Sequence, residues 1–361
     1  MSTVKKIFVW KKLIKPAMDI LHDSGYEIKI WQGENDPTEE ELIQNVKDIH
    51  GIYSFGPQKI TKCVIDAAKQ LEVVSAMSVG VDSIDIGELK ARNIKLGHTP
   101  DVLTDAVADI AVSLVLTVSR RIIEMADTAK FGEWKTWCPF SNLGTGLRGS
   151  TVGIVGLGRI GTATAKRLVP FGVSRFVYTC RSEKQEAART INASYVSFDD
   201  LLSQSDFVIV CCSMNPTTQE LFDKDAFSKM KSNSILVNIG RGGMVNQDAL
   251  VDALTEKKIK GAGLDVTTPE PLPVEHPLFK LKNCVILPHI GSAEEQTRTD
   301  MTVLAARNLS SSSSITSGFG GTPRSSYFSR FNFFRSLRRG LPSLSASGPT
   351  RLPTKKRTTK V

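Results

Sequence analysis

Cysteine is scarce in this chain and none of it is paired in sequence. The six cysteines, at positions 63, 138, 180, 211, 212 and 284, form no Cys-x-x-Cys unit. That excludes a zinc ribbon and a disulfide framework, and no metal is expected. Cys180, Cys211 and Cys212 sit in or beside apolar, strand-like runs, where a free thiol behaves as a small buried hydrophobe. Reduced thiols fit a cytoplasmic location. Long hydrophobic runs are absent too, so no membrane span is expected. The opening Met1-Ser2-Thr3-Val4-Lys5-Lys6-Ile7-Phe8-Val9-Trp10 has no extended apolar core and reads as a first strand, not a signal peptide.

Acidic residues are missing from one end of the chain. Ten of the 46 Lys and Arg and none of the 37 Asp and Glu lie from Ser310 onward. Residues 1–309 therefore carry 36 basic against 37 acidic side chains. The formal charge of +9 belongs to the tail, and nothing in the folded body asks for nucleic acid. The tail opens on the serine run Ser310–Ser314 and continues in Gly, Pro, Ser and Arg, a composition expected to be disordered. Its Lys355-Lys356-Arg357 reads as a solvated tail or the product of an altered transcript in preference to a nuclear-localisation or nucleic-acid patch.

What the chain does have is a regular alternation of short apolar runs and helical stretches, over 361 residues, enough for two domains. Strands are expected at 7–10, 26–31, 51–55, 73–77 and 94–96, with helices over 38–49 and 61–68. Residues 104–118 read as a long buried helix, followed by a Trp- and Gly-rich loop over 132–149. A second series of strands is expected at 151–155, 174–179, 206–211, 234–239, 261–265 and 284–287. This pattern predicts an α/β protein with two Rossmann-like, doubly wound parallel-sheet lobes and a cleft between them. The expected division is 1–103 for the first part of a substrate domain, 104–288 for a dinucleotide-binding domain, 289–309 for a helix returning to the substrate domain, and 310–361 for the tail.

The first run of the second series, Thr151-Val152-Gly153-Ile154-Val155, ends in Gly156-Leu157-Gly158-Arg159-Ile160-Gly161, with a helical stretch beyond. In a strand–turn–helix setting each glycine has a task. Gly156 permits the tight turn, Gly158 lets the backbone approach a pyrophosphate, and Gly161 lets the helix pack close to the strand. The helix N-terminus then offers free N–H groups to the phosphates.

The ends of three later strands carry Arg241 (in Asn238-Ile239-Gly240-Arg241-Gly242-Gly243), Glu270 (beyond Gly263-Leu264-Asp265-Val266) and His289 (in Pro288-His289-Ile290-Gly291-Ser292). Ligands of open α/β sheets bind at the carboxyl ends of the strands, so these side chains are expected to converge. Arginine grips a substrate carboxylate bidentately, histidine delivers a proton to a carbonyl oxygen, and a glutamate beside it favours the imidazolium. His276 and His98 receive structural readings.

These motifs resemble those of the D-isomer-specific 2-hydroxyacid dehydrogenase family over about residues 4–309. The resemblance implies reduction of a small 2-oxo acid, such as glyoxylate or hydroxypyruvate, to the D-2-hydroxy acid. It implies Arg241 as ligand of the substrate carboxylate, Glu270 as partner of the histidine and His289 as proton donor. It also implies substrate contacts from the Val79 and Gly80 backbone amides, and Trp137 reaching into the partner subunit of a homodimer. Arg159, Ile160, Ser213, Ile239, Asp265 and Gly291 are implied to join the glycine turn around the dinucleotide. The second strand of the unit runs Phe176-Val177-Tyr178-Thr179 into Cys180-Arg181-Ser182 with no acid at its end. Arg181 and Ser182 suit a 2′-phosphate, so NADP(H) is preferred, with NAD(H) as the alternative. Two other functions of the same fold remain: a sister dehydrogenase for phosphoglycerate, lactate-type acids or formate, and a dinucleotide-dependent corepressor-like interaction protein.

Overall fold

The computed structural model describes residues 4–56 and 59–310, which fall in a single compact unit. The expectation for the tail beyond Ser310 lies outside the described residues. The first lobe carries strands β1 (Lys6–Val9), β2 (Glu27–Ile30), β3 (Gly51–Ser54), β4 (Val73–Ala76) and β5 (Lys95–Gly97) in the all-parallel order β2-β1-β3-β4-β5. Helices α1 (Lys15–Asp23), α2 (Glu39–Asn45), α3 (Lys62–Ala67) and α4 (Ile86–Ala91) form the crossovers. Every residue of β3 and β4 is buried, as a strand covered on both faces requires.

The long apolar helix α5 (Thr104–Ser119) leads out of this lobe, followed by α6 (Ile122–Lys130). The second lobe contains β6 (Thr151–Val155), α7 (Arg159–Leu168), β7 (Arg175–Thr179), α8 (Gln185–Arg189), β8 (Ala193–Tyr195), α9 (Phe198–Gln204) and β9 (Phe207–Val210). It continues through α10 (Lys224–Lys229), β10 (Ile235–Asn238), α11 (Gln247–Thr255), β11 (Gly261–Leu264) and β12 (Cys284–Ile286), and α12 (Glu295–Ser310) follows. Its seven strands are all parallel in the order β12-β11-β10-β9-β6-β7-β8. The order reverses between β6 and β9, the switch point where such sheets open a crevice. The glycine turn follows β6 directly.

The expected strands form within a residue or two of their predicted limits, and β8 is an addition. Two predicted helices differ in length. The helix expected over 38–49 stops at Asn45, after a capping box in which Thr38 Oγ1 accepts from the Glu41 amide and Glu41 Oε2 accepts from the Thr38 amide. Val46 and Ile49 are buried, but a turn delivers them. The helix after the glycine turn starts three residues earlier than expected, at Arg159.

Helix α12 packs back on the first lobe, against β3, β4 and α1. The first lobe binds it through hydrogen bonds to its carbonyls: Tyr26 Oη to Leu309 O at 3.2 Å, Tyr53 Oη to Thr302 O at 3.2 Å and Ser75 Oγ to Ala305 O at 2.8 Å. Met301, Ala305, Ala306 and Leu309 are buried in one cluster with Ile7, Tyr53 and Val73. Leu309→Ala would leave a cavity beside Gly51 in this seam. We expect it to destabilise the protein by about 2–5 kcal/mol, read as a lower midpoint in chemical denaturation.

Candidate active site

The turn after β6 has the geometry its glycines suggest. Gly156 adopts φ +98°, and a Cβ there would sit 2.6 Å from the Cys212 amide nitrogen. Any other residue would be both strained and blocked. A Cβ on Gly161 would meet the Gly156 carbonyl, so the start of α7 lies against the turn. Gly158 faces open space and caps α7 with no side-chain hydrogen bond, leaving the first amides of the helix free for an anion. An open cleft of about 530 Å³ runs along this edge, lined by Leu157, Gly158, Arg159 and Thr162. Arg159 pairs across it with Asp101 at 2.5 Å. Ile160 is partly buried behind the turn.

Beyond β7, Arg181 and Ser182 are exposed and make no side-chain hydrogen bond among the described residues. Glu183 is exposed as well. The position after the strand is filled by Cys180, whose sulfur accepts from the Leu157 amide at 2.9 Å. A dinucleotide fits this setting: free helix amides for the pyrophosphate, then an unpaired cation and a hydroxyl at the end of the second strand. Ser213 and Ile239 follow β9 and β10 at the same edge of the sheet.

Three strand ends bring the candidate catalytic side chains to this edge. His289 follows β12 in a left-handed conformation, φ +53°. Its Nδ1 lies 2.7 Å from Glu270 Oε2, and Glu270 Oε1 accepts from the Thr267 amide at 3.1 Å. The side chains are 47% and 31% exposed, so the pair is open to a ligand on one side. Burial works to raise the Glu270 carboxyl pKa. The hydrogen bond and charge of His289, the Thr267 amide and the charge of Arg241 outweigh it and hold the group below its ordinary value. Glu270 therefore remains ionised where an ordinary glutamate is taking up a proton. Its contribution to stability is present above the ordinary carboxyl range and is lost only as pH falls through the lowered value.

Asp265 holds the turn that carries the histidine. It is 2% exposed, its two oxygens accept from the Ile290 and Gly291 amides at 2.8 Å each, and its carbonyl accepts from the His289 amide at 2.9 Å. Burial raises its carboxyl pKa, against the pull of those amides and of His289. The carboxylate implied to contact the dinucleotide is thus engaged with the backbone beside the proton-donor candidate, and so is the amide of Gly291.

Arg241 leaves β10 and crosses to the first lobe. Its Nε lies 3.1 and 3.2 Å from the two carboxylate oxygens of Asp82, and its Nη1 donates to its own neighbour's carbonyl, Gly240 O, at 2.9 Å. Asp82 stands in the loop after β4, which also carries Val79 and Gly80. Asp82 carries no expected role, because no spacing rule joins residues 159 positions apart. His98 contacts the Val79 carbonyl at 3.2 Å, and His276 caps a short turn by accepting from the Leu278 amide. Trp137 is apart from this cluster, 76% exposed in a segment that also exposes Phe131, Trp134, Phe140 and Leu143.

The edge of the second sheet thus gathers a phosphate-binding turn, a histidine–carboxylate pair and an arginine that reaches the other lobe. Comparison with known proteins gives a consistent result. Residues 112–291 match the family model for the D-isomer specific 2-hydroxyacid dehydrogenase NAD binding domain. The chain is 48% identical over 306 residues to human glyoxylate reductase/hydroxypyruvate reductase, covering 84% of this chain and 93% of that protein. Among solved structures, a Thermus thermophilus protein superposes with a TM-score of 0.78 at 41% identity, covering 84% of this chain and 95% of that one. An NADPH-dependent glyoxylate/hydroxypyruvate reductase from Sinorhizobium meliloti, in complex with NADP and malonate, does so at 0.74 and 32% identity, covering 86% and 94%. The sequence, the sheets and these matches agree: the chain is an oxidoreductase of the D-isomer specific 2-hydroxyacid dehydrogenase family.

Proposed function

We propose that this protein reduces small 2-oxo acids, glyoxylate and hydroxypyruvate among them, to D-2-hydroxy acids with NADPH. The observation that supports this most directly is the 2.7 Å pairing of His289 with Glu270 at the sheet edge that also presents Arg241. In this reading the first lobe with α12 binds the substrate and the second lobe holds the cofactor, through the Gly156–Gly161 turn, Arg181 and Ser182. Bound NADPH supplies the hydride. The substrate carboxylate sits between the Arg241 guanidinium and the Val79 and Gly80 amides. His289 donates its proton to the carbonyl oxygen as negative charge develops there, and Glu270, paired with Nδ1, keeps the ring oriented. The sister-dehydrogenase reading for phosphoglycerate is weaker, since a second anionic group needs further cations and Ser54-Phe55-Gly56-Pro57 at the end of β3 offers none.

The exposed apolar segment over residues 122–143 supports a homodimer. Ile122 and Ile123 join Phe131, Trp134, Trp137, Phe140 and Leu143 there, and exposed apolar side chains gathered along one segment suit a protein–protein contact. A partner subunit covering this segment would receive Trp137 at its own site. The six free thiols suit the cytoplasm.

Initial rates of NADPH oxidation with glyoxylate, hydroxypyruvate, pyruvate and 3-phosphohydroxypyruvate test the reading directly. The first two should turn over, and negligible rates with all four would favour an interaction protein. NADPH should exceed NADH in kcat/KM, and Arg181→Ala should erode the difference; a parent enzyme that prefers NADH would sink the 2′-phosphate assignment.

Two substitutions separate the roles of the histidine pair. His289→Ala should lower kcat by about 10²–10⁴-fold, the usual worth of a general acid, with NADPH affinity little changed. Glu270→Gln keeps the shape but removes the carboxylate that holds the ring at Nδ1, so kcat should fall while NADPH Kd stays at the wild-type value. An unchanged kcat would show that Glu270 does not position the donor.

A further inference from the structure

The contact between Arg241 and Asp82 is not explained by binding a substrate, because Asp82 is itself an anion. Arginine presents its donors along two edges of a planar fork. Here the Nε edge is spent on both oxygens of Asp82, and Nη1 is tied to the Gly240 carbonyl. Nη2 has no hydrogen-bond partner among the described residues. It lies directly over Gly80, where an added Cβ would collide with it and would come within 2.7 Å of Asp82 Oδ1. The guanidinium can rest on that loop only because position 80 has no side chain. With Nε and Nη1 engaged, the free Nη2 is held over the backbone segment whose amides receive the substrate carboxylate in the reading above.

We propose that Asp82 is the positioning residue for Arg241: its carboxylate, delivered by the first lobe, turns the guanidinium so that Nη2 faces the substrate anion at Val79–Gly80. The inference rests on the 2-oxo acid reading and adds a residue to it. Asp82 touches neither the substrate nor the cofactor and acts through the arginine. Two physical facts recommend the arrangement. A long flexible cation aimed at a small anion loses rotamer freedom on binding, and fixing it beforehand removes that cost from the binding step. The fixing carboxylate also occupies the Nε donor, so a second carboxylate meets one directed donor, Nη2, in place of a diffuse charge. Because Asp82 and Arg241 belong to different lobes, the grip is complete only when the lobes stand as they do here.

The test compares wild type, Asp82→Asn, Asp82→Ala, Arg241→Ala and the Asp82→Asn/Arg241→Ala double variant as full-length enzymes. Three quantities are read: KM and kcat for glyoxylate, Kd of oxalate for the NADPH-loaded enzyme, and Kd of NADPH. Loss of one charge-assisted hydrogen bond should raise KM and the oxalate Kd by about tenfold in Asp82→Asn, with kcat changed by less than about threefold. NADPH Kd should stay at the wild-type value in both Asp82 variants, which a collapsed fold would not allow. In the Arg241→Ala background, Asp82→Asn should add nothing to either quantity. Unchanged KM and oxalate Kd would overturn the proposal, and so would lowered values, which would mean that Asp82 competes with the substrate for the arginine. An equal loss with and without Arg241 would also overturn it, by showing a general effect on the loop. A wild-type enzyme that turns over glyoxylate while failing these comparisons loses the Asp82 assignment alone. One that neither turns over nor binds oxalate loses the 2-oxo acid reading along with it.

Discussion

The site depends on one buried carboxylate. Asp265 closes the end of β11, and its two oxygens hold the Ile290 and Gly291 amides while its carbonyl holds the His289 amide. Burying this charge is costly and pushes its carboxyl pKa up, and the backbone donors offset part of that cost. The result is a turn that keeps His289 in a left-handed conformation with its ring against Glu270. That backbone region is unfavourable for a residue with a Cβ. It persists because the neighbouring amides are fixed, and a histidine on a freely moving loop would have no defined direction for its proton. The same fixing reaches the cofactor edge, since Gly291 is the next residue but one.

A second constraint acts between the lobes. The carboxyl ends of both parallel sheets face the cleft, so each lobe contributes loops and neither contributes a whole site. Arg241 comes from one sheet, and Asp82, Val79 and Gly80 come from the other. Glycine at position 80 is the meeting point, because the guanidinium needs the space that a side chain would take. The free amides at the start of α7 and the unpaired Arg181 lie on the far side of the same edge, where a long dinucleotide would bridge the turn and the His289–Glu270 pair.

Much of this was legible in the sequence because parallel strands buried on both faces are written as continuous apolar runs, such as Phe207–Val210 and Ile235–Asn238, and each run ends where polar residues begin. The glycine turn and the three strand-end side chains follow from that grammar. Strand β8 escaped it: Ala193–Tyr195 is short and largely exposed, and carries no apolar signal. Helices α1, α4 and α6 escaped it too. Helix α1 buries only Ala17 and Leu21, α4 has six residues started by the Asp85 cap, and α6 buries none of its side chains. The roles of Asp82 and Asp265 were hidden for a different reason. Each is an ordinary acid in the sequence, and its partners are chosen by the three-dimensional crossing of loops that no local period encodes. Asp265, expected at a cofactor contact, also holds the Ile290 and Gly291 amides of the turn that carries His289.

The hydrogen bonds between the first sheet and α12 set an order of events during synthesis. Tyr53 and Ser75 reach Thr302 and Ala305 across 249 and 230 residues of chain. At about 5–20 residues per second, the face of the first sheet that carries Tyr53 and Ser75 waits roughly 12–50 s for its covering helix. The second lobe, whose strands and crossover helices all lie between those dates, can close its own sheet during the wait. The half of the protein made first is therefore the half finished last, and until then its apolar face is the nascent chain's exposed flank, the part that a chaperone would recognise.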